Sequence, residues 1–364
     1  MIPQVSPWIG EGEAQAVASV VRSGWLTEGS RAEEFTTRLN HYLDAPYGVL
    51  APNGTLALAM ALMALGIGDG DEVIVPDSTF VASATACVLA GATPVFVDVT
   101  ADCYQMDAEA LDNVVTKRTR AIMPVWLNGA APDMDYLQDW ACDNEVYVIE
   151  DAAQALGSKD CHGMPPGRLT NAACLSFFAD KTITTGEGGY VTCRDDQTYR
   201  NLLEIRNQGR RERGSFLHPT IGWNFRMTEM QAALGLAQMD RLDTIITRKA
   251  TIMDWYREGL AETPEVRIVE AMPGSTHVPF RCLIMAESAD FLGVWLKEHG
   301  VEPRAFFRPL HSQPCFDDFS PHAEPFPNAQ YAYEHGVMLP VWPLLTREQV
   351  AYICQTVRTF YGHE

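Results

Sequence analysis

Positive charge is scarce in this sequence. Its 364 residues include 27 Lys and Arg against 47 Asp and Glu, which gives a formal net charge of −20 at pH 7. Such a chain lacks the broad basic surface that binds nucleic acids or anionic membranes without specificity. We therefore expect neither nucleic acid nor a membrane among its partners. A local basic pocket for an anionic small molecule is still compatible with this charge.

Paired cysteines and long apolar runs are also absent. The nine cysteines are scattered and form no Cys-x-x-Cys pair, and several, such as Cys174 and Cys193, lie inside apolar runs. This pattern argues against a disulfide framework and against a metal site of the zinc-knuckle type. The longest apolar stretch, residues 56–65, is too short to cross a bilayer. No signal peptide is evident, so we expect a cytoplasmic protein in a reducing compartment.

The alternation of short apolar segments with helical segments indicates the fold class. Predicted strands lie at residues 47–50, 72–75, 93–97, 121–127, 146–149, 172–178 and 189–193. This alternation predicts an α/β fold with a largely parallel sheet covered on both faces. Beyond two predicted helices, at residues 227–239 and 240–260, the pattern changes to strand, helix, strand. We therefore predict a large domain of residues 1–244 and a smaller α+β domain of residues 245–364.

Two of the predicted strands end in polar groups that could bind a ligand at the carboxyl edge of the sheet. Asn53-Gly54-Thr55 opens a helix, where amide N–H groups and the Thr55 hydroxyl could hold a phosphate. An Asn or Thr that only caps the helix explains these residues equally well. Asp151 follows another strand, and a buried carboxylate there needs a cationic or hydrogen-bonding partner such as a protonated ring nitrogen. A simple helix cap is again the alternative.

Lys181 provides the clearest chemical signal in the sequence. It follows an apolar strand and precedes the turn Thr184-Thr-Gly-Glu-Gly-Gly189. A surface lysine is the usual alternative, but small residues on both sides suit an amine that must form a Schiff base with a carbonyl. Ser176 could donate to a phosphate, and Phe80 could stack on a flat ring. For Phe80 alone, core packing is the commoner explanation. The sequence also lacks a Gly-x-Gly-x-x-Gly after an early strand, which argues against a dinucleotide-binding enzyme.

Taken together, the motifs resemble those of the DegT/StrS family of nucleotide-sugar aminotransferases, which depend on pyridoxal 5′-phosphate (PLP). The resemblance covers nearly the whole chain. It is carried by Gly24-Trp-Leu-Thr27, Asn53-Gly-Thr-Leu-Ala-Leu58, Asp71-Glu-Val-Ile-Val-Pro76, Gly91-Ala-Thr-Pro-Val-Phe-Val-Asp98, Glu150-Asp-Ala-Ala-Gln-Ala155, Lys181-Thr-Ile-Thr-Thr-Gly-Glu-Gly-Gly189 and Gly222-Trp-Asn-Phe-Arg-Met-Thr228. It implies the type I, aspartate-aminotransferase-like fold, PLP and its amino form PMP as cofactor, and L-glutamate and a nucleotide-linked keto sugar as substrates.

The resemblance also implies roles for individual residues. Lys181 would carry the cofactor and move a proton, and Asp151 would pair with the ring nitrogen. Gln154 would contact the ring hydroxyl, and Phe80 would stack on the ring. The residues that would bind the phosphate are Gly54, Thr55 and Ser176, joined by Asn224 of the partner subunit. The last of these implies a homodimer with shared active sites.

Basic and aromatic residues elsewhere are candidates for contacts to the sugar nucleotide. The segments 178–187 and 304–311 resemble most the subgroup that aminates a GDP-linked 4-keto-6-deoxy sugar. The candidates are Trp25, Thr27, Arg206, Arg210, Arg211, Arg213, Arg304, Arg308 and His311. A solvated loop explains the first arginine cluster equally well, and a structural histidine explains His311. Two other functions fit the same fold: a sugar dehydratase, against which Lys181 argues, and a non-catalytic regulatory protein.

Overall fold

Seven strands form the larger sheet of this protein, for which a computed structural model describes residues 1–212, 214–319 and 325–363. The strands are β1 Tyr47–Ala51, β2 Glu72–Pro76, β3 Thr93–Val97, β4 Thr119–Ile122, β5 Tyr147–Asp151, β6 Ala172–Ser176 and β7 Gly189–Cys193. Their order across the sheet is β1-β7-β6-β5-β4-β2-β3. Among these strands, β7 pairs antiparallel with β1 and β6, and all the other neighbouring pairs are parallel. The predicted α/β fold with a largely parallel sheet is therefore confirmed.

Helices cover both faces of this sheet. They are α1 Glu11–Ser23, α2 Ser30–Tyr42, α3 Gly54–Ala64, α4 Ala82–Ala90, α5 Met134–Asp143, α6 Asp196–Arg206, α7 Glu229–Met239 and α8 Leu242–Leu260. Consecutive residues of β2 show the two buried faces, because Val73 packs in the core cluster with α3 and Ile74 packs in the cluster with α2. Successive side chains of a strand point to opposite faces, so a strand covered on both sides is apolar throughout.

One predicted strand is shorter in the structure. The strand predicted at residues 121–127 ends at Ile122, and Pro124, which has no N–H group to donate, follows it closely. A 3₁₀-helix, Ala108–Asn113, precedes this strand.

A second, four-stranded sheet follows α8. Its strands are β8 Val266–Ile268, β9 Cys282–Ala286, β10 Arg304–Ala305 and β11 Gly336–Leu339, which pair antiparallel in the order β10-β11-β9-β8. Its helices are α9 Ala289–Glu298, α10 Pro327–His335 and α11 Arg347–Phe360. Within α8, Ile245 packs in a core cluster of the first sheet and Ile252 packs in that of the second. We keep the domain division near residue 245 as a proposal. No helix in the described ranges is long and apolar enough to span a membrane.

Candidate active site

A cavity of about 720 Å³ opens at the carboxyl ends of β1, β5 and β6. This is the edge where an open α/β sheet binds its ligands. The cavity is lined by eight of the residues predicted from the sequence: Gly54, Thr55, Phe80, Asp151, Gln154, Ser176, Lys181 and Arg304. The structure therefore brings the three strand ends together around one space.

One wall of the cavity is the N-terminus of α3. Asn53 caps this helix, because its Oδ1 accepts the N–H of Leu56 at 2.9 Å, so the capping alternative holds for Asn53. The amide groups of Gly54 and Thr55 precede that contact and lie at the positive end of the helix. A Cβ atom at position 54 would lie 2.9 Å from the Cβ of Ser176. Glycine at position 54 therefore lets the N-terminus of α3 approach Ser176 of β6 closely, and together they form a candidate anion-binding site.

Asp151 lies on another wall of the cavity and is only 5% exposed. Its Oδ2 accepts a hydrogen bond from the Ser83 hydroxyl at 2.6 Å, and its Oδ1 accepts the N–H of Ala153 at 3.1 Å. Burial raises the pKa of Asp151, and the hydrogen bonds and the charge of Lys181 oppose this rise. A buried carboxylate of this kind gains most from a cationic partner in the cavity. Ser83, on α4, was missed by the sequence reasoning.

Gln154 and Phe80 lie on other parts of the cavity wall. The Gln154 Oε1 atom accepts the N–H of Asn128 at 2.7 Å, which orients the side-chain amide. The Phe80 ring is 54% exposed and meets Phe307 edge-on, with 6.3 Å between the ring centroids. Core packing therefore does not explain Phe80, whose ring is available to a flat ligand.

Lys181 is held in a tightly closed loop rather than on a solvated surface. Its side chain is only 15% exposed. The backbone N–H of Phe177 donates to the carbonyl of Gly188 at 2.8 Å, and the N–H of Thr185 donates to the carbonyl of Phe177 at 2.9 Å. Burial lowers the pKa of Lys181, and the nearby carboxylates of Asp180 and Asp151 oppose this effect. A larger share of the amine is then neutral near pH 7, as a nucleophile or base requires.

Three charged residues beside Lys181 were also missed by the sequence reasoning: Asp180, Arg281 and Lys249. Arg281 is 1% exposed and lies in the same cavity wall. The sequence feature that could have identified it is a single arginine inside the apolar run Val278-Pro-Phe-Arg-Cys-Leu-Ile-Met285. Lys249 is 2% exposed and lies on the buried face of α8 with Ile245 and Ile252. The sequence feature that could have identified Lys249 is a lysine on the apolar face of a predicted helix.

We expect Lys249→Met to stabilise the protein near pH 7. The Lys249 amine donates only a 3.4 Å hydrogen bond to Thr182, and burial lowers its pKa from 10.5 to about 7. Between these two values the unfolded chain binds more protons than the folded one, so the wild-type protein gains stability as pH rises through this window. Replacing a buried charge with an apolar side chain should raise the free energy of unfolding by about 1–4 kcal/mol near pH 7.

Denaturant unfolding at several pH values between 7 and 10 tests this expectation. The difference between Lys249→Met and wild type should shrink as pH rises, because the unfolded lysine loses its proton. Lys297→Met, which changes an exposed lysine of α9, is the matched control and should show no such pH dependence. A Lys249→Met variant that is less stable than wild type throughout would contradict the prediction.

Most of the residues predicted to contact the sugar nucleotide lie outside this cavity. Arg304 lines it and is half exposed. In the part of the chain that the structure describes, the others do not line it: Trp25, Thr27, Arg206, Arg210, Arg211, Arg308 and His311. Arg213 lies outside the described residues. The ring Nδ1 atom of His311 lies 2.6 Å from Oδ2 of the fully buried Asp77, and the backbone N–H of His311 donates to Oδ1 of the same carboxylate at 2.8 Å. This pairing favours the structural explanation of His311.

Asn224 is exposed and does not line the cavity of its own chain. It forms an isolated antiparallel bridge with Asn207. The predicted role of Asn224 as a phosphate ligand in the partner subunit's site therefore stays a prediction.

Comparisons with known proteins agree with this fold and site. The chain is 36% identical to the GDP-perosamine synthase of Escherichia coli O157:H7 over 366 residues, which cover 99% of each chain. It is also 36% identical over 320 residues to a UDP-N-acetyl-3-dehydro-α-D-glucosamine 3-aminotransferase of Acidithiobacillus ferrooxidans, with 87% of this chain and 85% of that protein covered. Among solved structures, the PLP form of Spr1654 from Streptococcus pneumoniae superposes with a TM-score of 0.91 at 29% identity, covering 98% of each chain.

The fold and these similarities define a sugar aminotransferase that depends on PLP. Residues 7–358 match the DegT/DnrJ/EryC1/StrS aminotransferase family, and the chain belongs to that family.

Proposed function

We propose that this enzyme transfers an amino group from L-glutamate to C4 of GDP-4-keto-6-deoxymannose and so forms GDP-perosamine. The observation that carries the proposal is the end-to-end similarity to the perosamine synthase, which covers 99% of both chains. The similarity to the UDP-sugar enzyme has the same identity but covers 87% of this chain. A dTDP- or UDP-linked 4-keto or 3-keto sugar is therefore the alternative substrate class.

Three parts of the cavity wall provide groups that match the phosphate, the ring face and the ring hydroxyl of PLP. Gly54 and Thr55 offer the N-terminus of α3 to the phosphate, and the Ser176 hydroxyl lies beside them. Phe80 presents an exposed ring face, and Gln154 holds an oriented amide for the ring hydroxyl. When bound, PLP draws electron density from the bond that breaks at the amino-bearing carbon.

Asp151 and Lys181 have separate tasks in this proposal. The buried carboxylate of Asp151 keeps a ring nitrogen protonated, because a cation relieves the cost of burying the negative charge. The Lys181 Nζ atom accepts the proton from Cα of the amino donor and delivers it to the cofactor carbon that carried the aldehyde. It acts first as base and then as acid. Its lowered pKa favours the neutral amine that starts this transfer.

The proposal includes a homodimer in which each subunit completes the other's site. Asn224 is exposed and lies away from its own cavity. The preceding segment carries large apolar side chains at the surface: Phe216 is 90% exposed and Ile221 is 82% exposed. Exposed apolar groups next to a predicted phosphate ligand favour a subunit interface there.

A product assay with paired substrates tests the proposed substrate. Purified enzyme is incubated with L-glutamate and GDP-4-keto-6-deoxymannose or its dTDP- or UDP-linked counterpart, and the products are identified by mass spectrometry. We expect the GDP-linked amino sugar, with kcat/KM at least about 10-fold higher than for the dTDP substrate. An amino sugar from the dTDP or UDP substrate alone would support the alternative. Loss of the keto sugar without an amino product would indicate a dehydratase, and no turnover would indicate a regulatory protein.

A further inference from the structure

Asp180 is surrounded by positive charges at the base of the cavity. Its Oδ2 atom lies 2.9 Å from Nη2 of Arg281 and 4.0 Å from Nη1 of Arg304, and its Oδ1 atom lies 3.8 Å from Nζ of Lys181. The Asp180 side chain is 10% exposed and that of Arg281 is 1% exposed. The direct contact to Arg281 is therefore much closer than the contact to Lys181.

Arg281 is fixed in this position by two further contacts. Its Nη1 donates to the carbonyl oxygen of Phe280 at 2.7 Å, and its guanidinium lies 3.9 Å from the centroid of the Phe280 ring. The Lys181 amine lies 4.4 Å from the centroid of the same ring. The Arg281 guanidinium and the Lys181 amine therefore lie beside the same aromatic ring, and these contacts help to hold the guanidinium against the Asp180 carboxylate.

The charge balance at Lys181 depends on this arrangement. An uncompensated carboxylate 3.8 Å away in a shielded site would hold the amine as an ammonium ion, which neither attacks a carbonyl nor accepts a proton. The charged groups that face the amine or line its surroundings are Asp151, Asp180, Glu187, Lys249, Arg281 and Arg304. Among the cations, Arg281 makes the 2.9 Å contact to the nearest carboxylate.

We propose that Asp180 and Arg281 form a positioning pair for Lys181. The carboxylate directs the amine toward the cavity, and the guanidinium offsets the carboxylate's charge so that the amine can be neutral. The pair acts through Lys181 and touches no reacting atom itself. This inference rests on the role given to Lys181 in the proposed function.

Titration of the Lys181 amine in cofactor-free protein tests the pair without any turnover. The protein is labelled briefly with acetic anhydride at a series of pH values, and the label on the Lys181 peptide is measured by mass spectrometry. Removing the offsetting charge in Arg281→Met should raise the midpoint of labelling by about one pH unit or more. Asp180→Asn should lower it, since an uncompensated guanidinium then faces the amine. The double variant should return close to the wild-type midpoint.

Two further variants separate charge from structure. Arg281→Lys keeps the positive charge and should keep the midpoint near that of wild type. Arg267→Met removes a cation of β8 that donates hydrogen bonds to the Asp102 carbonyl oxygen and the Tyr104 hydroxyl, neither of which lines the cavity. This variant should leave the midpoint unchanged. If Arg281→Met fails to fold, as judged by circular dichroism, the fall in Asp180→Asn remains the deciding result.

The proposal is overturned if the midpoint in Asp180→Asn does not fall, or if folded Arg281→Met shows no rise. A purely structural role for the pair would change the labelling rate equally at all pH values. Because the labelling uses neither sugar nor cofactor, an enzyme that aminates a different sugar would leave this result intact. Failure of the proposed substrate and failure of the pair are therefore distinguishable.

Discussion

Replacing Lys181 with Ala is expected to reduce formation of the amino sugar by about 10²–10⁴-fold, since on the proposed mechanism the variant loses the group that transfers the proton. Lys181 lines the cavity with its side chain only 15% exposed, so no bulk-solvent base reaches the same position easily. Turnover is measured by mass spectrometry of the amino sugar. Lys159→Ala, which changes an exposed lysine, is the matched control and should retain wild-type activity.

A second measurement on the same variants locates the cofactor attachment. Borohydride reduction of the PLP-loaded wild type and of Lys159→Ala should leave a stable label on the Lys181 peptide. The Lys181→Ala protein should still bind PLP through Gly54, Thr55 and Ser176, but without a reducible link. Near-normal activity of Lys181→Ala, or label at another lysine in the wild type, would contradict the assignment.

Asp151→Asn is expected to lower the rate of the half-reaction with L-glutamate by about 10²–10³-fold, because the amide has the size of the carboxylate but no charge. On the proposed role of Asp151, the variant lacks the negative charge that would keep the cofactor ring nitrogen protonated. The measurement is a single-turnover rate with L-glutamate, which separates the chemical step from sugar binding.

Ser83→Ala provides the comparison for Asp151→Asn. Removing the Ser83 hydroxyl deletes the 2.6 Å hydrogen bond to Asp151 but leaves the carboxylate in place, so we expect a loss below about 10-fold. Equal losses in the two variants would show that the local hydrogen bonds matter and the charge does not. Such a result would contradict the proposed role of Asp151.

Much of the larger sheet could be predicted from local pattern alone. Buried strands are short and mostly apolar, and β2 and β7 have all five residues buried. The elements missed by the sequence reasoning include α6, β8, α10 and β11, three of which are short. β8 has three residues, none of them fully buried, so it carries no apolar alternation to detect. Strand direction could not be predicted either: β7 lies between β1 and β6 and pairs antiparallel with both.

The candidate site divides in a similar way. Asn53, Asp151 and Ser176 could be predicted because each lies at or just beyond the end of an apolar strand, and strand ends converge at one edge of an open sheet. The sequence also determined the unusual setting of Lys181, between an apolar strand and a glycine-rich turn.

Only the tertiary structure decided which charges surround that lysine. Arg281 meets Asp180 across 101 residues of sequence, and His311 meets Asp77 across 234. Such pairs form where separate elements pack together, and the cost of burying each charge is met only when its partner arrives. Local sequence therefore determined which amine is proposed to react, while long-range packing decided the electrostatic environment around it.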